Sequence, residues 1–136
     1  MTKSGDELRI SADQIISTEV KGTAIIKSAI LRIFSDNGSD LFLSSDTALL
    51  NKGKKSLIFS KNVILKTDDK LKITAPEILT ALDQTLIKAD GPVKGLFGIS
   101  SIEAGQLDIF RENRSPNLVI SFTKGVKVVY NPSQPF

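Results

Sequence analysis

The chain has 136 residues, with 18 Lys and Arg against 15 Asp and Glu, a net charge of +3, and no Cys, His or Trp. Without Cys or His there is no disulfide, no thiolate or imidazole metal site and no Ser-His-Asp triad. The cationic excess is scattered, with no basic run longer than Lys54-Lys55, and the seven Phe and one Tyr do not interleave with basic residues, so no nucleic-acid platform is expected.

Met1 to Gly5 leads straight into polar sequence, and no run of about 18 apolar residues follows, so neither a leader peptide nor a membrane helix is read within these residues. The first predicted element is Leu8-Arg9-Ile10-Ser11-Ala12-Asp13. Leu8, Ile10 and Ala12 alternate with polar residues, as in a strand with one apolar face. The same rhythm recurs in Leu41-Phe42-Leu43-Ser44-Ser45-Asp46, in Leu71-Lys72-Ile73-Thr74-Ala75-Pro76 and, more loosely, in Ser101-Ile102-Glu103-Ala104-Gly105. The small residues Ala12, Ser45, Ala75 and Ala104 anchor four repeats, at spacings of 33, 30 and 29 residues. An apolar residue entering a new strand follows the first three anchors by 18 residues (Ile30, Val63 and Val93). The fourth, Val126, follows Ala104 by 22, and the polar insert Arg111-Glu112-Asn113-Arg114-Ser115-Pro116 lies in that gap. Turn signals at Asp36-Asn37-Gly38-Ser39, Asn51-Lys52-Gly53, Thr67-Asp68-Asp69, Asp90-Gly91-Pro92 and Asn131-Pro132 separate the runs. Gly95 and Gly98, around Leu96-Phe97, are expected to bend the chain between the third and fourth repeats.

One segment argues for a helix. Thr74 and Glu77 have capping-box spacing, with Pro76 early in the first turn and Ile78-Leu79-Thr80-Ala81-Leu82 beyond. The repeat register makes the same segment a strand, and the strand is the expectation.

Motifs that suggest chemistry have plainer readings. Ser121-Phe122-Thr123-Lys124 fits S-x-x-K, but that chemistry needs the Ser at a helix start, and here Ser121 lies within a predicted strand. Asp68-Asp69 reads as a turn before it reads as a Ca²⁺ site. Asn37-Gly38-Ser39 and Asn113-Arg114-Ser115 match the glycosylation sequon and also read as turns. No enzyme, catalytic site, cofactor or metal is predicted.

The residues from Ser56 to Tyr130 resemble the LptC family, the membrane-anchored periplasmic component of lipopolysaccharide export. The likeness rests on Leu57-Ile58-Phe59-Ser60-Lys61-Asn62-Val63, on Ile73-Thr74-Ala75-Pro76-Glu77, and above all on Ala89-Asp90-Gly91-Pro92-Val93-Lys94-Gly95-Leu96-Phe97-Gly98 with Ile102-Glu103-Ala104. Phe122-Thr123-Lys124-Gly125-Val126-Lys127-Val128 is similar to the family's closing strand, and Glu7 to Leu50 fits its first repeats more loosely. The resemblance implies an all-β fold: a single twisted β-jellyroll, or β-taco, over residues 1–136, of two antiparallel sheets with open ends. It implies a periplasmic domain tethered to the inner membrane by an N-terminal helix absent from this chain. It also implies a non-enzymatic role, passing lipopolysaccharide from an ABC transporter to the bridge protein LptA. The expected lipid groove is Leu43, Leu57, Phe59, Val63, Ile73, Leu86, Val93, Ile102, Leu118, Ile120 and Phe122. The expected edge for LptA is Leu118, Ile120, Phe122, Val126, Val128 and Tyr130, with the N-terminal edge toward the LptB/LptF/LptG transporter. Scattered rim lysines are expected mainly as a solvated face, able to meet lipopolysaccharide phosphates. Two alternatives stand beside this reading: an LptA-type bridge protein, which shares the repeat, and a polymerising β-solenoid of bactofilin type.

Overall fold

The computed structural model describes residues 7–34, 40–67, 71–83, 86–98, 100–111 and 118–130. Among these residues ten strands run in chain order: β1 (Glu7–Ser11), β2 (Gln14–Ser17), β3 (Thr23–Phe34), β4 (Leu41–Asn51), β5 (Ser56–Thr67), β6 (Leu71–Ala81), β7 (Leu86–Phe97), β8 (Ser100–Arg111), β9 (Leu118–Thr123) and β10 (Lys127–Tyr130). They form one antiparallel sheet in the order β1-β3-β4-β5-β6-β7-β8-β10, with β2 also on β3 and β9 also on β8. Antiparallel pairing throughout excludes a solenoid, whose coils stack in parallel. The helix signal at Thr74 to Leu82 is overridden, because β6 spans Leu71–Ala81 and pairs on both sides. Pairing on both sides satisfies the backbone of β6 as a helix would, and Ile73 and Ile78 are buried in the same core.

The long strands β3 to β8 have 11 or 12 residues each and cross the whole molecule, bending midway. The bends align. Ser28 has φ 53°, Lys61 and Asn62 have φ 65° and 56°, and Gly91 has φ 91°. The pairing register slips between Ser44 and Thr47, Ser60 and Val63, Thr74 and Leu79, and Asp90 and Val93. Bulges of this kind bend strands and increase their twist. Here they draw one crease across the sheet and fold it into two leaves. The first leaf holds β1, β10 and the part of each long strand on their side of the crease, for example 30–34, 63–67 and 93–97. The second holds β2, β9 and the remaining parts, for example 24–27, 56–60 and 86–90. The expected two sheets are thus two leaves of one continuous folded sheet.

The repeat marks this crease. Val63 pairs with Ala75 and Val93 with Ala104, so anchor and apolar landmark sit side by side on neighbouring strands at the first-leaf border of the crease. In the first repeat the landmark is displaced by one: Ala29, not Ile30, pairs with Ser45. Ala29 is buried while Ile30 points outward, 37% exposed. Asp90-Gly91-Pro92, read as a turn, is instead the crease of β7, and Gly95 lies within that strand rather than bending it. Gly98, at φ 61°, does make the β7–β8 turn. The turn at Asn51-Lys52-Gly53 forms as expected. The expected turns at 36–39, 68–69 and 131–132, the sequons and the Asp68-Asp69 pair lie wholly or partly outside the described residues.

Polar contacts pin the crease. Asn62 Nδ2 donates to Asp46 Oδ2 at 2.8 Å. The Gly105 N–H donates to the Lys124 carbonyl at 2.9 Å. A Cβ on Gly105 would lie 2.6 Å from that same oxygen. Backbone, not a flexible side chain, blocks the space. Gly105→Ala therefore lowers stability by about 1–3 kcal/mol, as overpacking does; urea denaturation checks this, and an unchanged midpoint would contradict it.

Between the leaves sits one apolar core. Leu31, Leu57, Phe59, Leu65, Ile73, Ile78, Ile87, Val93, Leu107 and Ile109 are fully buried. Each such Leu, Ile, Val or Phe contributes roughly 1.5–3 kcal/mol by leaving water.

Candidate functional site: an apolar trough with two open strand edges

The period-two alternation turns one side of every strand into the space between the leaves. Register extends this into rows. In the first leaf, Ile10 faces Leu31, Leu31 faces Leu43, Leu43 faces Leu65 and Leu65 faces Ile73. The row continues through Gly95 and Ile102 to Val128. Its middle is sealed and its ends are not: Leu31 and Leu65 are fully buried, while Ile10 is 41% and Val128 61% exposed. The second leaf carries a facing row, Ala24, Leu50, Leu57, Thr80, Ile87, Ile109 and Ile120. The interior is an apolar trough running across the strands, close-packed in the middle and exposed at the first-leaf ends.

Of the residues expected in the groove, Leu43, Leu57, Phe59, Val63, Ile73 and Val93 are buried inside it. Ile102, Ile120 and Phe122 are half-buried. Leu86 is half-buried too, but it alternates with the inward Ile87 and Ala89 and so stands on the outer side of β7 with Lys88, outside the groove expected to include it. Ile120 and Phe122 pack against the core from the last strand of the second leaf. Leu118 begins β9, and its side chain lies outside the described residues. Sequence reasoning missed Ile26, Leu31, Ile78, Ile87, Leu107 and Ile109, all within 1% of full burial. The signal was available, since these residues obey the same alternation in their own strands.

Thr80 adds one polar atom to this lining. Its Oγ1 is buried and has no hydrogen-bond partner, alone in this among the described residues. A buried hydroxyl of this kind costs stability unless something pairs with it.

The sheet does not close on itself. Among the described residues, β1 and β2 pair only with β3, and β9 and β10 pair only with β8. Each end therefore presents unpaired N–H and C=O groups that another strand can join. The C-terminal edge, expected as one run from Leu118 to Tyr130, is two short strands. Ile120 and Phe122 stand on the second leaf in β9, and β10 stands on the first leaf with Val128 and Tyr130; the Tyr130 side chain lies outside the described residues. Val126 lies between them, on the crease and 47% exposed. The division follows from Lys124 and Gly125, whose φ of 62° and 80° turn the chain between leaves.

Among the described residues no cluster of three or more acidic side chains is placed to hold a metal. No helix among them is long and apolar enough to cross a membrane.

Comparison with known proteins agrees with this geometry. A family model described as lipopolysaccharide-assembly, LptC-related, matches residues 1–128. No curated protein sequence matches the chain. Among solved structures, the fold is similar to LptH of Pseudomonas aeruginosa, described as the LptA-homologous periplasmic component of the lipopolysaccharide transport device. The TM-score is 0.64 at 12% identity, over 97% of this chain and 100% of that one.

Proposed function

The chain belongs to the LptC-related lipopolysaccharide-assembly family, and we propose that it is a periplasmic conduit that receives lipopolysaccharide from an inner-membrane ABC transporter and passes it to an LptA-type bridge protein. The observation that carries this reading is the trough: a continuous apolar interior that reaches exposed residues, Ile10 and Val128, at opposite strand edges. Acyl chains need an apolar lining and no bond-making chemistry, which suits a chain without His or Cys. The protein works by shape and transfer rather than catalysis. Acyl chains enter by parting the two leaves, and an ester carbonyl beside Thr80 would give its hydroxyl the partner it lacks. In this reading the β9/β10 edge receives the bridge protein by strand addition. The β1/β2 edge faces the transporter, and a helix N-terminal to this domain tethers it to the inner membrane. The likeness to LptH favours, as a second reading, a place within the bridge itself.

Photo-crosslinking separates the trough from a plain core. A photoreactive residue at Phe59, Ile120 or Phe122 should capture lipopolysaccharide in cells, and one at outward-facing Lys88 should not. No capture at any inward position would end the conduit reading.

A further inference from the structure

The lysines and arginines that look scattered in sequence are aligned in the fold. On the outer side of the first leaf, Arg9 faces Arg32, Arg32 faces Phe42, Phe42 faces Lys66, Lys66 faces Lys72 and Lys72 faces Leu96. All six are exposed. No acidic residue occupies this row. Six adjacent strands at roughly 4.8 Å spacing make it about 24 Å long. It runs across the strands, in the same direction as the trough.

Its position is specific. β5 ends at Thr67 and β6 begins at Leu71, so Lys66 and Lys72 are each one residue from the lip, and Leu96 precedes the terminal Phe97 of β7. The row therefore follows the outside of one lip of the folded sheet. A groove on the outer side, flanked by Lys72, Lys94, Leu96 and Glu103, adjoins the β6–β7 end of the row.

The charge is concentrated as well as aligned. Outward positions on the strands of the first leaf carry Arg9, Arg32, Lys66, Lys72, Lys94 and Lys127 against Glu7 and Glu103. That leaves +4 over these strand positions. Arg9 is compensated by Glu7, at 3.2 Å, and Glu103 stands between Lys94 and Lys127. Lys66 and Lys72 stand directly opposite one another, an arrangement that destabilises a sheet. Arg9 lies over the Phe34 ring at 5.0 Å and Arg32 over the Phe42 ring at 4.8 Å, so folding accounts for the arginines. It does not account for the opposed Lys66 and Lys72, and an anionic occupant does. Cations strung along one line suit an anion that moves, whereas a single bound phosphate needs donors converging on one point.

We propose that this row is a cationic rail for the phosphorylated headgroup of the lipid whose acyl chains occupy the trough. The chains lie between the leaves, the headgroup bends over the lip, and the cations in turn neutralise it along the direction of transfer. The proposal rests on the conduit reading.

The test is equilibrium binding of two probes, bisphosphorylated lipid A and the same lipid A with both phosphates removed. The wild-type protein is compared with Lys66→Gln/Lys72→Gln and with Lys27→Gln/Lys88→Gln, which removes the same charge from the outer side of the second leaf. The rail variant should bind bisphosphorylated lipid A roughly ten- to thirtyfold more weakly, from the weight of two lysines at an anionic surface, and bind the dephosphorylated lipid as wild type does. An unchanged affinity, or an equal loss in the second-leaf variant, would overturn the rail and leave the conduit standing. So would wild-type binding of the isolated diphosphorylated disaccharide, or of anionic vesicles, as tight as that of lipid A, since the row would then serve an anion without chains in the trough. If wild type bound neither lipid, the conduit reading would fall and the rail with it.

Discussion

Phe59→Ala is expected to lower the stability of this protein by about 3–5 kcal/mol, the cost of deleting a fully buried aromatic side chain. Phe59 is the largest fully buried side chain, and it lies on β5 between Ala48 of β4 and Ile78 of β6. The loss has two parts, the apolar surface no longer removed from water and the cavity left where the leaves cannot collapse. Urea denaturation with an unchanged slope and a lowered midpoint would confirm it. The result also bears on how lipid enters. A full penalty means that the resting interior is close-packed and that the leaves must part for each lipid. A cost below about 1 kcal/mol would show a loosely filled channel at this position and would remove the close-packed account.

The second large effect is expected at the β10 edge. Neighbouring residues on an edge strand send their N–H groups in opposite directions, one toward β8 and the next outward. Val128→Pro and Val129→Pro, made singly, therefore separate two roles. In the variant whose lost N–H points outward, β10 stays in place and stability changes by less than about 1 kcal/mol. An incoming strand, however, loses a ladder bond and meets the proline ring, at a cost of about 3 kcal/mol or more, near a hundredfold in affinity. In the other variant the lost N–H serves β8, and the fold itself is weakened. Titration with an LptA-type partner beside thermal unfolding reads both quantities. If both variants bind that partner as wild type does, the β9/β10 edge plays no part in docking. The split of this edge makes the outcome specific: β10 belongs to the first leaf, β9 to the second, and a partner strand on β10 would extend the row that ends at Val128.

Several of these features were readable before any coordinates. Alternation in Leu71-Lys72-Ile73 and in Leu118-Val119-Ile120 is a local property of a half-buried strand, and it marks the interior face without reference to neighbours. The recurrence of Ala75 and Ala104 at nearly equal spacing exposed the repeat, because each hairpin must return to the same crease. The helix signal at Thr74 was equally local and misleading, since two-sided pairing of β6 outweighs a capping box. Asp90-Gly91-Pro92 carries the same residues whether it turns the chain or creases a strand. The difference lies in β8, which stays paired with β7 on both sides of it.

An all-β chain of four repeats, with an apolar face on each strand and no residues for imidazole or thiolate chemistry, was legible without any structure. These follow from composition and from periodicities of two and about thirty residues, which need no knowledge of contacts. Tertiary structure decided the rest. It made one sheet of two leaves, put Ala29 rather than Ile30 at the crease, divided the C-terminal edge between leaves, and brought Arg9, Arg32, Lys66 and Lys72 into one line. The physical reason is register: a slip of one residue in any strand would send its lysine to the opposite face, and only the pairing of all the strands together sets that register.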